Sequence, residues 1–268
     1  MKSIASRNNP FFKQLRALAR PGTATRREGL VWLEGIHLCQ EYLQRVGTPQ
    51  HAVFDASRLA AGAAGGSELQ ALARALPDDC CLALEAKLLD SVSDVASAQG
   101  VGFIVELPRP ALPLRVDMAC VVLDGVQDPG NVGSILRTCA AAGIGTLFLL
   151  EGSASAWSPK VLRAGQGAHF SLTIHEQVST TLLRERLAVP LLATTLEDAV
   201  GLYDDIELPY PAAWAFGHEG QGVSAALLER ASHRVHIPQA SGVESLNVAA
   251  AAAVCLFEHR RQRLAAGR

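Results

Sequence analysis

Three short segments in the second half of the chain hold the polar residues best placed to do chemistry. They are Asn131 with Arg137, Glu219 in a glycine-rich loop, and Ser245 with Asn247. In Asp124-Gly-Val-Gln-Asp-Pro-Gly-Asn131, Pro129-Gly130 makes a turn and Asn131 falls at the expected start of a helix. Arg137 lies six residues on, between Leu136 and Thr138, where a guanidinium must either snorkel to water or be held in a site. Gly217-His-Glu219-Gly-Gln-Gly222 has three glycines in six residues, which lets the backbone approach a ligand closely, and Glu219 is its one carboxylate. Ser245-Leu246-Asn247 opens an apolar run, 248–257, that reads as a buried helix whose first N–H groups face whatever binds there. Each segment also has a plain structural reading. Asn131 and the Ser245–Asn247 triplet serve as helix caps, Gly130 and Gly133 as turn residues, and Ser224 as the cap of the helix after the glycine loop. The residues alone therefore permit a site without requiring one.

The elements that must position these residues alternate regularly. Apolar runs over 119–123, 146–150, 170–174, 191–194, 213–216 and 234–237 predict strands. Helical patterns over 132–142, 178–187, 225–231 and 248–263 fall between or after them. Continuous apolar strands alternating with helices indicate a parallel sheet covered on both faces, with its ligand beyond the carboxyl ends of the strands. All three polar segments follow such strands. No GxGxxG opens a helix here, so a dinucleotide-dependent oxidoreductase lacks its fingerprint.

The first half, 1–108, reads as a smaller α/β unit. Its expected helices cover 9–19, 36–46 and 68–75, its strands 29–33, 51–54 and 101–106, and 60–66 is a small-residue loop. Three prolines, Pro108, Pro110 and Pro113, mark an extended linker over 109–114 before the second unit, 115–268.

Composition bounds the function. At 49% hydrophobic residues the chain can bury a large core, and no apolar run approaches the roughly 18 residues that span a bilayer. Six cysteines without a CxxC pair, several inside apolar runs, read as reduced thiols of a cytoplasmic protein, and no Cys or His spacing suggests a metal. Net charge is only −2, but Met1–Glu28 carries seven cations against the single acid Glu28. Arg260, Arg261, Arg263 and Arg268 close the chain. Such clusters are either solvated helix faces or contacts to nucleic-acid phosphates.

Taken together, Asn131-x-Gly133-x-x-x-Arg137, Gly217-x-Glu219-Gly220-x-Gly222 and Ile237-Pro238 through Ser245-Leu246-Asn247-Val248 resemble the three motifs of the SpoU/TrmH family of RNA ribose 2′-O-methyltransferases. Ser6-Arg7-Asn8-Asn9-Pro10, Lys13, Leu15 and Trp32-Leu33-Glu34-Gly35 are similar to the family's substrate-binding domain, which resembles an RNA-binding ribosomal protein. The resemblance implies an α/β fold: a C-terminal trefoil-knotted methyltransferase domain with a parallel sheet, 115–268, plus a small N-terminal α/β RNA-binding domain, 1–108. It implies S-adenosyl-L-methionine held by Thr194, Gly217, Ile237 and Leu246, and a catalytic set of Asn131, Arg137, Glu219, Ser245 and Asn247. It implies an RNA partner and a homodimer packed through the final helix and the knot region; the basic N-terminal segment and the two-domain layout suit ribosomal RNA better, with transfer RNA 2′-O-methylation as the alternative. In that scheme Arg137 either clamps the reacting nucleotide's phosphate or acts as the base, although a guanidinium holds its proton to about pH 12 and above. The rival of another class is a non-catalytic RNA-binding protein of the same fold. His218 is expected to be a local variation facing solvent.

Overall fold

The computed structural model describes residues 1–20, 22–61, 66–93, 98–204, 206–242 and 245–267, with residues 61, 66 and 67 as backbone only. Residues 62–65 of the expected small-residue loop, Val243 and Glu244 of the third motif, and Arg268 lie outside the described residues. The chain divides into two compact units, Met1–Pro108 with Trp157–Phe170, and Arg109–Ala156 with Ser171–Arg268.

The first unit contains β1 (Lys2–Ile4), α1 (Pro10–Leu18), α2 (Ala24–Glu28), β2 (Leu30–Glu34), α3 (Ile36–Arg45), β3 (His51–Asp55), α4 (Ala56–Ala61), α5 (Gly66–Arg74), β4 (Cys81–Leu84), α6 (Ala86–Asp90) and β5 (Val101–Glu106). Its sheet runs β1-β4-β3-β5-β2; β1, β4 and β3 are mutually parallel, and β5 is antiparallel to both β3 and β2. Phe12, Leu15 and Leu18 of α1 pack on Trp32, Val53, Leu82 and Ile104. Asn9 caps α1 by accepting from the N–H of Phe11 at 2.9 Å, with Pro10 at the first helical position. That apolar face leaves Lys13, Arg16 and Arg20 exposed, spaced by three and four residues along one side of the helix and its end.

The second unit contains β6 (Cys120–Asp124), α7 (Pro129–Ala142) and β7 (Thr146–Leu150). After α8 (Pro159–Gly165), which belongs to the first unit, it continues with β8 (Thr173–Val178), α9 (Thr180–Arg186), β9 (Leu191–Thr194), β10 (Val200–Gly201), β11 (Ala213–Gly217), α10 (Ala225–Arg230), β12 (His233–His236) and α11 (Val248–Ala265). Its seven strands lie in the order β10-β12-β9-β11-β6-β7-β8, and every pairing is parallel. The two faces of the sheet have separate cores. Cys120, Val122, Ala213 and Ala215 pack with Leu183 and Leu227 of α9 and α10. On the other face Trp214 donates from Nε1 to Nδ1 of the buried His259 on α11, at 2.9 Å. Burial holds the His259 imidazole below its usual pKa, which keeps it neutral to accept this bond.

Several expectations change at this level. The strand expected over 170–174 starts later, because Ala168–Ser171 forms a 3-10 turn and β8 begins at Thr173. The run 248–257 is a helix, as its pattern predicts, but the chain does not bury it fully. Ala252, Cys255 and Leu256 are buried, Ala250 is exposed, and Phe257 is 47% exposed. All six cysteines are buried and free. Among the described residues no helix is long and apolar enough to cross a membrane.

Candidate active site

The carboxyl ends of the central strands converge on one open cleft of 630 Å³. Thr194 at the end of β9, Gly217 at the end of β11, Ile237 just past β12, and Leu246 before α11 all line it, as do Glu219, Ser245 and Asn247. Parallel strands that start in register end in register, so residues distant in sequence arrive at one rim.

The walls are mostly backbone. A Cβ on Gly217 would lie 2.0 Å from the carbonyl carbon of Gly222 and 2.2 Å from the nitrogen of Val223, so only glycine allows the 218–222 loop to fold against the strand end. His218 and Gly222 exchange N–H to O=C bonds of 3.0 and 2.8 Å, which close that loop. Thr194 turns its hydroxyl inward, donating to the carbonyl of Ala215 at 3.1 Å, and so offers the cleft its backbone and methyl group. Asp124 at the end of β6 accepts from the N–H of Ser224 at 2.7 Å. Ser224 itself makes no side-chain cap on α10, contrary to expectation, and the strand-end carboxylate anchors its N–H instead.

The three motifs meet in one chain of hydrogen bonds. Glu219 accepts from the N–H groups of Gln127 and Asp128 (3.2 Å each) and from Nδ2 of Asn131 (2.9 Å). Asn131 Oδ1 accepts from Nδ2 of Asn247 (2.9 Å), and Asn247 Oδ1 accepts from the N–H groups of Ala249 and Ala250 (2.9 and 3.3 Å). The direction of this chain is forced. A carboxylate only accepts, so Asn131 must present its NH2 to Glu219 and its oxygen to Asn247, whose own oxygen then caps α11. Burial raises the Glu219 carboxyl, but the bonds from Asn131, Asp128 and Gln127 outweigh it and hold the group below the usual carboxylate value of 4.5.

Asn131 is therefore not the cap of α7. Asp128 holds that position and accepts from the N–H of Asn131 at 2.8 Å. This frees the Asn131 side chain to link the second and third motifs. Arg137 is exposed on α7, makes no hydrogen bond or ion pair among the described residues, and is not part of the cleft wall. Seven of the nine site residues named from sequence thus share the cleft; Asn131 is tied to them by hydrogen bonds, and Arg137 stands apart.

Two residues that sequence reasoning left without a role also face this site. Gln239 lines the cleft with its Oε1 buried and without a hydrogen-bond partner among the described residues. His218 accepts two backbone N–H groups on Nδ1. An orphaned acceptor, a glycine cradle and polar backbone edges suit a ligand carrying N–H donors on a flat ring, as the adenosine part of S-adenosyl-L-methionine does.

Residues 118–257 match the model of the SpoU rRNA methylase family. The chain is 34% identical to an uncharacterised tRNA/rRNA methyltransferase of Synechocystis sp., covering 98% of this chain and 95% of that protein. It is 30% identical to a 23S rRNA guanosine 2′-O-methyltransferase of Bacillus subtilis, covering 97% of this chain and all of that protein. In structure it resembles the SpoU methyltransferase AviRb of Streptomyces viridochromogenes in complex with AdoMet, with a TM-score of 0.83, 26% identity, and 96% of this chain and 99% of that one covered. With the three motifs joined at one cleft, these matches place the chain: it belongs to the SpoU rRNA methylase family.

Proposed function

We propose that this protein transfers a methyl group from S-adenosyl-L-methionine to a ribose 2′-hydroxyl of ribosomal RNA, at the cleft between β9, β11, β12 and α11. The observation that carries the reading is the hydrogen-bonded chain Glu219–Asn131–Asn247, which joins all three motifs at the rim of a backbone-walled cavity.

When bound, S-adenosyl-L-methionine supplies an electrophilic methyl group on a sulfonium. Thr194, Gly217, Ile237 and Leu246 hold it, mainly through backbone groups and apolar contact. The 2′-hydroxyl is a weak nucleophile while it keeps its proton, so positioning and charge must do most of the work. Arg137 clamps the phosphate of the reacting nucleotide and stabilises negative charge developing on the 2′ oxygen; its exposed guanidinium, without a partner among the described residues, is available for this. Ser245, exposed at the cleft, contacts the hydroxyl or the cofactor. Asn131 and Asn247 orient the ribose and the motif loops, and Glu219 fixes both by holding the chain of amides in one direction.

Residues 1–108 bind the RNA substrate. The exposed Lys13, Arg16 and Arg20 on one side of α1, with Arg7 just before it, suit a row of phosphates. The methyltransferase domain, expected over 115–268 and here Arg109–Ala156 with Ser171–Arg268, carries a trefoil knot. The match of residues 118–257 to the SpoU family model supports it, since the resemblance implies the knot. The protein works as a cytoplasmic homodimer, with α11 and the knot region across the two-fold axis. The half-exposed uncharged run of α11 and the bare Phe257 support this, because an apolar helix face left open by its own chain calls for cover.

The test is methylation of ribosomal RNA from a strain lacking the gene, with radiolabelled S-adenosyl-L-methionine. Recovery of one labelled nucleotide as its 2′-O-methyl form is the expected result. Label on the base, or on transfer RNA alone, overturns the substrate reading. Light scattering gives twice the chain mass if the dimer is correct and a single chain mass if it is not.

A further inference from the structure

His218 stands between two residues of the site, Gly217 and Glu219, and its ring does not act as a spare group in solvent. Its Nδ1 accepts from the N–H of Gly220 at 2.9 Å and from the N–H of Gln221 at 3.2 Å. These are the two donors at the tip of the loop that the His218–Gly222 bonds close. Gly217, Gly220, Gln221 and Gly222 line the cleft, so the loop's backbone shape is part of the wall. Gly222 has φ +71°, a left-handed turn that lets the chain come back on itself within five residues. Among the described residues the ring of His218 is the one acceptor of the two tip amides.

We propose that His218 is a positioning residue for the methyl donor, whose unprotonated Nδ1 holds the 218–222 loop in the shape that walls the cleft. The inference rests on the reading of the cleft as the S-adenosyl-L-methionine site. A proton on Nδ1 would set an N–H against the two N–H groups that it now accepts, so the loop closes only with the ring's donor on Nε2.

The experiment compares wild type, His218→Ala and His218→Asn. The Asn Oδ1 sits near the place of the His Nδ1 and can accept the same donors. Amide exchange of Gly220 and Gln221 is read in the cofactor-free protein, and S-adenosyl-L-methionine affinity by calorimetry. Donor binding is expected to weaken by about tenfold in His218→Ala, with Gly220 and Gln221 exchanging faster. His218→Asn is expected to keep both protection and affinity. Faster exchange in His218→Ala with unchanged affinity overturns the proposal and leaves the cleft reading intact. Affinity lost equally in His218→Asn and His218→Ala, with the amides of His218→Asn still protected, also overturns it. If Leu246→Arg, which fills the cleft, binds the donor as well as wild type, the cleft reading itself fails and the proposal fails with it.

Discussion

The cleft rim and the outer face of α7 and α11 differ in how much of their structure one chain supplies. At the rim the polar groups that join the three motifs are engaged. Glu219, Asn131 and Asn247 are linked end to end, Thr194 and Asp124 are tied to backbone, and Gly217 admits no side chain. On the outer face the Arg137 side chain makes no hydrogen bond or ion pair among the described residues, Ala250 is exposed, and Phe257 shows nearly half its surface. The difference teaches which parts are organised before any ligand arrives and which wait for one. A preorganised wall serves binding of a small molecule, since no ordering cost is left to meet at the moment of binding. An unheld arginine serves a charge that arrives with a macromolecular substrate.

The sharpest way to break this contrast is to remove the unheld group. Arg137→Ala is expected to lower kcat by on the order of a thousandfold while S-adenosyl-L-methionine affinity stays within about twofold, because Arg137 stabilises developing charge and does not wall the cleft. Calorimetry and single-turnover rates measure the two separately. A matching loss of donor affinity would erase the distinction between the regions. Arg137→Lys refines the point: activity close to wild type would remove any need for the planar, two-pronged geometry of a guanidinium.

The converse change strikes the wall. Gly217→Ala forces a Cβ into the backbone of Gly222 and Val223, so the loop must move. Donor binding is expected to weaken by about a hundredfold, with melting temperature lowered by a few degrees. Wild-type affinity in this variant would show that the loop backbone is not part of the site.

These two positions also mark what could be read without coordinates. The alternation of apolar runs with helical patterns located β7 and β9 to the residue and β6, β11, β12, α7 and α11 within a few. That is because a buried parallel strand needs a continuous apolar run. Strands too short for such a run escaped, since β1 has three residues and β10 has two; β4, Cys81–Leu84, is apolar throughout but at four residues its run does not tell a strand from a buried helix. The helix α8 escaped as well, since its segment is interrupted by Pro159, Gly165 and Gly167. Motif order brought Thr194, Gly217, Glu219, Ile237, Ser245, Leu246 and Asn247 to one place on paper, and they line one cleft. What spacing could not give was bonding. The pattern that makes Asn131 look like a cap fits Asp128 equally well, and only the folded turn decides that Asp128 caps while Asn131 reaches Glu219. The acceptors on His218 exist only once the loop has closed on itself, so no local pattern announces them.

A milder test addresses the basic side of α1. Replacing Lys13, Arg16 and Arg20 together by Ala is expected to raise KM for RNA about tenfold and to flatten its salt dependence by up to three counter-ions. Melting temperature should hold, because the three side chains are exposed. An unchanged KM and salt slope would leave α1 a solvated face and confine RNA contact to other surfaces.

The smallest effect expected is at Glu219, and it is the most informative about how the wall is built. Glu219→Gln has the same shape but can donate, so one of its three incoming N–H groups faces another N–H. The group is exposed, so solvent screens the loss to about 1 kcal/mol, and kcat should fall only severalfold. Its pH dependence carries the sign. The folded carboxyl lies below the ordinary 4.5, so its contribution is complete above that value and is lost as pH falls through the lowered one. Wild type should therefore exceed Glu219→Gln in stability at neutral pH, and the two denaturation midpoints should converge as pH falls below 4.5 and through the lowered value. A gap that persists in acid would mean that Glu219 acts by shape, and that the Asn131–Asn247 chain keeps its direction without a charge to set it.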